Sequence, residues 1–143
     1  MSRPAPLGRE VYRHFTRIAT RWADNDAYGH VNNMVYYEWF DTAVNRWLVE
    51  QGLLDIECGD PIGLVVETGC SYFAPLAFPE EVEIGLAVER LGTSSVTYRI
   101  GVFAAGSPQA AAQGHFTHVY VGRENRRPAP LPDEWRRTLE TLA

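Results

Sequence analysis

The chain has 143 residues, of which 45% are hydrophobic and 12% aromatic, and its formal net charge is −5 at pH 7. This length predicts about one domain with a real core, and the aromatic content argues against a disordered chain. The acidic balance argues against a nucleic-acid partner. No apolar run approaches the ~20 residues of a membrane span, and residues 1–10 lack the apolar core of a signal peptide. We therefore expect a cytoplasmic protein without a membrane partner.

The two cysteines, Cys58 and Cys70, form no Cys-x-x-Cys pair, and the chain has no Cys/His spacing typical of a zinc site. Two free thiols in a reducing compartment are favoured over a single disulfide. We therefore expect neither a structural metal nor a catalytic metal from the cysteine and histidine pattern.

The first predicted element of secondary structure is a strand. Residues 1–10 are polar and Pro-rich, and we interpret them as a loose lead-in. β-forming residues then alternate over 11–22, which predicts the strand. A turn-rich loop follows at 24–29.

A long helix is predicted next, from residue 34 to residue 51. Asn32 or Asn33 is the expected N-cap, and Gly52 is the expected C-terminal stop. The apolar side of the helix is rich in aromatic residues and must be covered by other elements. Its members are Tyr36, Phe40, Ala43, Val44, Trp47 and Leu48.

The rest of the chain up to residue 121 is predicted to be strand or turn. Short turn-rich stretches separate the strands, which favours antiparallel pairing. The four strands are predicted over 62–73, 82–88, 96–102 and 109–121. Residues 123–132 form a basic, Pro-rich extended segment, and 133–142 are predicted to form a short terminal helix.

The element order is therefore β-α-β-β-β-β, which predicts an α+β fold with a five-stranded antiparallel sheet covering the long helix. We interpret residues 1–143 as a single domain, with a core at about 11–123 and an extended C-terminal tail at 124–143. Such a sheet has exposed edge strands, so we expect a homodimer that continues the sheet.

One stretch combines acidic, amide and imidazole side chains directly before the long helix. It contains Asp24, Asp26 and His30, and ends at Asn32 and Asn33. The N-terminal amides and the positive end of a helix dipole can stabilise a developing oxyanion. A carboxylate beside them can attack a carbonyl or activate water. The stretch therefore indicates chemistry on a carbonyl group.

The pattern Asp-x-Asp-x-x-Gly-His-Val-Asn-Asn-x-x-Tyr, from Asp24 to Tyr36, resembles that of the hotdog-fold thioesterases, in particular the 4-hydroxybenzoyl-CoA thioesterase-like branch. Residues 72–78 and 91–95 also resemble this family, and the resemblance spans about residues 12 to 132. It implies a helix wrapped by the sheet and an active site at a dimer interface. It also implies an acyl thioester of coenzyme A or acyl carrier protein as substrate, and no metal or redox cofactor.

The resemblance also implies roles for the residues of this stretch. Asp26 matches the acidic residue that acts as nucleophile or general base. Asn33 lies seven residues later, where a backbone amide polarises the thioester carbonyl in related enzymes. For His30, a polar contact to the substrate or to Asp26 and a structural bond at the helix start both stay open. Asp24 is interpreted as structural.

Substrate-binding candidates lie on both sides of this stretch. Tyr28 is interpreted either as narrowing the acyl pocket or as a dimer contact. Asn32 is more easily explained as a helix cap. The aromatic stripe that contains Tyr36 is interpreted as core packing, part of which lines an acyl channel. A basic cluster after the last strand suits the phosphates of coenzyme A, although a solvated tail is an equal alternative. Its members are Arg123, Arg126 and Arg127.

The sequence therefore predicts an acyl-CoA thioesterase, with two alternatives. A hotdog hydratase or dehydratase pairs an acid with a histidine in a different local pattern, usually with Asn-Pro before the histidine. A non-catalytic acyl-CoA binding module would not need Asp26. The acyl group, the choice between dimer and dimer of dimers, and the choice between nucleophile and general base stay open.

Overall fold

The computed structural model describes residues 4–143, and across them five strands form one antiparallel sheet with a long helix against it. The strands are β1 His14–Ala19, β2 Ile62–Tyr72, β3 Glu81–Leu91, β4 Ser95–Ala104 and β5 Ala112–Val121. The helices are α1 Asn33–Glu50, between β1 and β2, and α2 Asp133–Glu140 after β5. This order confirms the predicted α+β hotdog layout.

The strand order across the sheet is β1-β3-β4-β5-β2, and every neighbouring pair is antiparallel. The strand that follows the long helix therefore forms one edge, and the strand that precedes the helix forms the other. The inner face of the sheet packs on α1 through one continuous core, which includes Phe40, Val44, Ile84 and Ile100, all completely buried.

Both ends of α1 have the expected capping residues. The Asn32 side chain accepts a hydrogen bond from Met34 N–H at 3.1 Å, so Asn32 is the N-cap and Asn33 is the first helical residue. Gly52 follows the helix with φ 76°, the left-handed conformation in which glycine commonly ends helices.

The N-terminal segment packs on the outer face of the sheet, so the prediction of a loose lead-in is wrong for residues 4–10. Leu7 N–H donates to Gln113 Oε1 at 2.8 Å, and Gln113 Nε2 donates to the Ala5 carbonyl at 2.9 Å. Arg9 forms an ion pair with Glu83 at 2.7 Å. The physical reason is that part of the outer face is apolar and needs a cover. Residues 1–3 lie outside the described part of the chain.

Tyr12 continues this cover and lies directly over the backbone of two strands. A Cβ atom at Gly85 or Gly101 would approach the Tyr12 ring to 2.7 Å or 2.6 Å, so the close approach requires glycine at both positions. The Tyr12 ring is also edge-on to Phe103 at 5.6 Å. The first strand starts later than predicted, at His14, because residues 9–11 form a 3-10 turn that leads into this contact.

The C-terminal helix forms as predicted and joins the main core. Leu139 is completely buried, and Leu131 and Leu142 are also part of the core cluster. Trp135 is edge-on to Tyr120 of β5, with 5.7 Å between ring centroids. No helix within residues 4–143 combines the length and the apolarity that crossing a bilayer would require.

Candidate active site

A cleft of about 530 Å³ opens at the N-terminal end of α1. It is formed by the loop before α1, by the first turn of α1, and by the end of β2 with the residues that follow it. The lining residues are Asp26, His30, Val31, Asn33, Tyr36, Tyr72, Phe73, Ala74 and Pro75. The structure therefore brings together Asp26, His30, Asn33 and Tyr36 of the residues predicted from the sequence.

The loop before α1 is a short, internally bonded turn. Asp26 N–H donates to the His30 carbonyl at 2.8 Å, and Gly29 N–H donates to the Asp26 carbonyl at 3.1 Å. Gly29 has φ 79°, which glycine adopts without strain. Asn25 and Val31 pair as an isolated bridge at the base of the turn. This turn places Asp26 and His30 close together at the mouth of the cleft.

The Asp26 carboxylate is half-buried, and its Oδ1 accepts a hydrogen bond from Tyr28 N–H at 2.9 Å. This bond fixes the side chain with respect to its own loop. Tyr28 itself is at the tip of the turn, with 86% of its surface exposed, and is not among the lining residues of the cleft within one protomer.

Asp24, two residues earlier, is buried and turned away from the cleft. Its carboxylate accepts hydrogen bonds from Arg21 N–H at 2.7 Å, and from Arg21 Nε and an Arg21 terminal nitrogen at 3.0 and 2.7 Å. The Asp24 carbonyl accepts from Asn32 N–H at 2.9 Å. Asp24 therefore holds the start of α1 in place, in agreement with its structural interpretation.

In the first turn of α1, one amide of a cleft-lining residue, Asn33, has no acceptor within the described residues. Met34 N–H is bonded to the Asn32 side chain, and Val35 N–H to the Asn32 carbonyl at 3.0 Å. Across residues 4–143, no acceptor pairs with Asn33 N–H. Because the N-terminal amides of a helix lack intrahelical partners, such a group is available to a negatively charged oxygen.

Tyr36 forms a buried wall of the cleft, with only 3% of its surface exposed. Its ring is edge-on to Tyr72 at 4.9 Å and to Trp39 at 5.1 Å. Burial raises the pKa of Tyr36 to about 12, so its phenol is neutral at ordinary pH. His30, which also lines the cleft, is exposed.

The three arginines are not at this cleft within one protomer. Register places Ile62 beside Val121 at one end of the β2–β5 pair and Tyr72 beside Ala112 at the other. At about 3.3 Å per residue, the two ends are roughly 30 Å apart. Arg123 follows Val121, whereas Tyr72 lines the cleft.

The Arg123 side chain is already bonded to the loop before β2. Its Nε donates to the Gly59 carbonyl at 2.5 Å, and a terminal nitrogen donates to the Ile56 carbonyl at 3.3 Å. Its backbone N–H donates to Asp60 Oδ1 at 3.0 Å. Arg126 and Arg127 are exposed.

The sequence interpretation missed the contribution of Tyr72. Its hydroxyl donates a hydrogen bond to the Asn33 carbonyl at 3.1 Å, and its ring lines the cleft. The available signal was an aromatic residue at the end of a predicted strand, just before the turn that contains Pro75. That signal does not say which end of the helix the strand reaches.

The chain matches the thioesterase-like superfamily over residues 20–139, and it therefore belongs to that superfamily. It is similar to the PA5185 protein of Pseudomonas aeruginosa strain PAO1, with 54% identity, 96% of each chain covered and a TM-score of 0.93. It is also similar to the BH1999 gentisyl-coenzyme A thioesterase, with 26% identity, a TM-score of 0.78, and 88% of this chain and 99% of that one covered.

The fold is also shared with Slr0204, a 1,4-dihydroxy-2-naphthoyl-CoA thioesterase from Synechocystis. Identity is 23%, the TM-score is 0.80, and 90% of this chain and 96% of that one are covered. The structures that resemble this chain thus include thioesterases that are named for aromatic acyl-CoA substrates.

Proposed function

We propose that the protein is an acyl-CoA thioesterase that hydrolyses an acyl thioester to a carboxylic acid and the free CoA thiol. The observation that carries this proposal is that Asp26 and Asn33 line the same cleft, and that no acceptor within residues 4–143 pairs with Asn33 N–H. Membership in the thioesterase-like superfamily supports it. Thioesters are already reactive, so one carboxylate, one oxyanion donor and a sheltered acyl pocket suffice.

In this mechanism the thioester carbonyl carbon lies near Asp26 and its oxygen near Asn33 N–H. Asp26 either attacks the carbon to give a mixed anhydride, which water then hydrolyses, or removes a proton from the attacking water. Negative charge develops on the carbonyl oxygen and is stabilised by Asn33 N–H and the positive end of α1. The C–S bond breaks and the thiolate takes up a proton. Water is thus added across the C–S bond in either route.

The surrounding side chains bind the substrate. His30 faces the cleft from the exposed side, where it can contact the thioester or Asp26. Asn32 orients the helix start, and Tyr36 with Tyr72 forms an aromatic wall. Such a wall favours an aromatic acyl group. The gentisyl-coenzyme A thioesterase to which this chain is similar is named for an aromatic substrate. Straight acyl chains are compared with an aromatic one in the hydrolysis experiment.

A homodimer through the β2 edge is the assembly that we propose. β2 has 11 residues, against 6 in β1, and its middle exposes Leu64, Val65 and Val66 to 39%, 47% and 59%. A long apolar edge strand needs a partner.

This dimer would bring the arginines to the active site of the partner. Full-length antiparallel pairing of two β2 strands places Tyr72 of one protomer opposite Ile62 of the partner subunit. The partner's arginine cluster lies beside its own Ile62, and therefore near this cleft. In this arrangement Arg126 and Arg127 bind the CoA phosphates in trans. Arg123 anchors the segment that carries them to the loop before β2. Tyr28, exposed at the loop tip, contacts the partner or the substrate.

The first prediction is that Asp26→Asn lowers kcat at least ~100-fold, because it removes the nucleophile or general base. The measurement is release of free thiol from acetyl-, octanoyl-, palmitoyl- and benzoyl-CoA, and from an acyl carrier protein thioester. Wild-type turnover by the purified Asn variant would show that Asp26 is not the reacting group.

The same assay separates the two alternatives. A hydratase or dehydratase leaves the thioester intact and releases no thiol, whereas a binding module binds the acyl-CoA saturably and turns none of it over. Glu38→Gln, at an exposed helix carboxylate outside the cleft, is a matched control and is expected to hydrolyse at the wild-type rate.

A further inference from the structure

Tyr72 joins the end of the edge strand to the first turn of α1. Its hydroxyl donates to the carbonyl of Asn33, a cleft-lining residue whose N–H has no acceptor within residues 4–143. The backbone immediately after Tyr72 is also fixed, because Phe73 N–H and Ala74 N–H both donate to the Ala111 carbonyl at 2.8 and 3.0 Å. The hydroxyl is therefore attached to a well-anchored part of the sheet.

Two backbone bonds at this end of α1 hold the residues before the helix. Val31 N–H donates to the Leu76 carbonyl at 2.7 Å, and Asn32 N–H donates to the Asp24 carbonyl at 2.9 Å. The Tyr72 bond differs because it reaches the first helical residue from the sheet. It thus restrains the orientation of the turn that contains the candidate oxyanion donor.

The surroundings of Tyr72 keep its hydroxyl available as a donor. Its ring meets Tyr36 edge-on, with 4.9 Å between centroids and 89° between planes. Burial, assisted by Cys70 and Tyr37, raises the pKa of Tyr72 well above its usual range, so the phenol keeps its proton at ordinary pH. A neutral phenol can continue to donate to the Asn33 carbonyl.

We propose that Tyr72 is a positioning residue for thioester hydrolysis, whose hydroxyl fixes the first turn of α1 so that Asn33 N–H is aimed at the substrate carbonyl. This inference rests on the proposed function. Its physical reason is that oxyanion stabilisation depends on the donor lying at the right place before the reaction, and small misplacements are costly.

The experiment removes the hydroxyl alone. Tyr72→Phe is expected to lower kcat roughly 10-fold while KM changes less than about 2-fold, because the bond serves the transition state rather than binding. The substrates are benzoyl-CoA and octanoyl-CoA, with thiol release as the readout. Tyr12→Phe is the matched control, since it removes a buried hydroxyl on the outer face of the sheet, and its kcat should stay at the wild-type value.

A spectroscopic readout separates positioning from a general loss of structure. The C=O stretching frequency of a bound ketone analogue of benzoyl-CoA, with CH₂ in place of sulfur, reports polarisation of the carbonyl. It should be lowered in the wild type and in Tyr12→Phe, and return toward the free value in Tyr72→Phe. An unchanged frequency and kcat in a folded Tyr72→Phe protein would overturn the proposal.

A second variant keeps the test decisive if Tyr72→Phe does not fold. Trifluorotyrosine at position 72 retains the ring and hydroxyl but has a more acidic phenol. Its kcat should decline at lower alkaline pH than that of the wild type, because the phenolate cannot donate; coincident pH profiles would contradict the proposal. If Asp26→Asn also hydrolyses normally, the proposed function fails. If only the Tyr72 variants behave as wild type, this inference alone fails.

Discussion

Asp24 and Asp26 are two residues apart, yet the structure gives them different surroundings. In a continuous strand their side chains would share a face. A 3-10 turn at Trp22–Asp24 interrupts the strand geometry, so Asp24 points into the protein and is 1% exposed. Asp26 comes after the turn and faces the cleft. Local backbone geometry therefore separates a structural carboxylate from a candidate catalytic one.

This separation predicts that stability and activity respond to different aspartates. Asp24→Asn should lower the free energy of unfolding by about 1–3 kcal/mol, since it weakens a buried carboxylate's hydrogen bonds. Asp26→Asn should leave it within about 0.5 kcal/mol of the wild type, as is usual for accessible positions. Urea denaturation of both variants measures these changes. Equal destabilisation of the two proteins would contradict the assignment.

His118 is a buried histidine that the proposed mechanism does not use. It lies among Phe116, Tyr98 and Tyr120, with ring centroids 5.0 to 6.1 Å away, and is 3% exposed. Burial lowers the pKa of His118 from 6.5 to about 4. The folded protein therefore holds a neutral imidazole over a pH range in which the unfolded chain binds a proton.

The sign of the effect on stability follows directly. Above pH 6.5 the contribution of the buried, neutral His118 to the free energy of unfolding is fully present. It is lost as the pH falls from 6.5 through about 4. At about 1.4 kcal/mol per pKa unit, the loss amounts to roughly 3 kcal/mol. We expect His118→Phe to flatten the decline of unfolding free energy between pH 6.5 and 4. Parallel curves for wild type and variant would show that His118 does not cause the decline.

At the scale of elements, the two edge strands differ in what they expose. The middle of β2 carries three exposed apolar residues and one carboxylate, Glu67, which lies 3.0 Å from His115 of β5. The shorter β1 carries the charged Arg17 and exposes no comparable run of large apolar residues. Charges on an edge strand oppose pairing with another chain. The edge that follows the helix is therefore the one suited to pairing with a second copy.

Val66→Lys is expected to give a monomer with reduced thioesterase activity, because it replaces an apolar side chain of the proposed interface with a charged one that is costly to desolvate. Sedimentation velocity measures the mass, and thiol release measures the activity. Ala19→Lys, at an exposed position of the opposite edge, is the matched control and should remain dimeric. A dimeric Val66→Lys protein with a monomeric Ala19→Lys protein would assign the interface to β1.

The sequence pattern alone did not show where the two terminal segments would pack. Residues 4–12 and the helix α2 both pack on the sheet, the first on its outer face and the second on the main core. The apolar residues of 4–12 show no clear period, whereas Trp135, Leu139 and Leu142 follow the helical period without indicating the surface that they contact. Only the exposed apolar surface of the folded sheet explains why they dock.

For the whole molecule, the proposed dimer makes the site a shared one. A mixed dimer of one Asp26→Asn subunit and one Arg126→Ala/Arg127→Ala subunit would contain one site with neither defect and one with both. We therefore expect mixed dimers to regain about half the wild-type activity per dimer, measured at low acyl-CoA concentration. If the arginines served their own subunit, both sites would be defective and mixing would restore nothing.

The sequence by itself determined the helix, its cap, the order of the elements and most of one side of the cleft. These features depend on short-range physics: the helical period, a side chain capping an amide two residues on, and a glycine in a left-handed turn. Asp26, His30 and Asn33 lie within eight consecutive residues of the printed sequence. Their proximity therefore needed no knowledge of the sheet.

The tertiary structure decided which residues lie opposite Asp26, His30 and Asn33. Tyr72 reaches Asn33 from a position 39 residues later in the chain, and the arginines lie at the far end of the same strand pair. Both outcomes depend on the sheet order β1-β3-β4-β5-β2 and on strand register. Alternating patterns specify which face of a strand is buried, but they do not specify its neighbour, because each pairing is selected by the packing of the whole core.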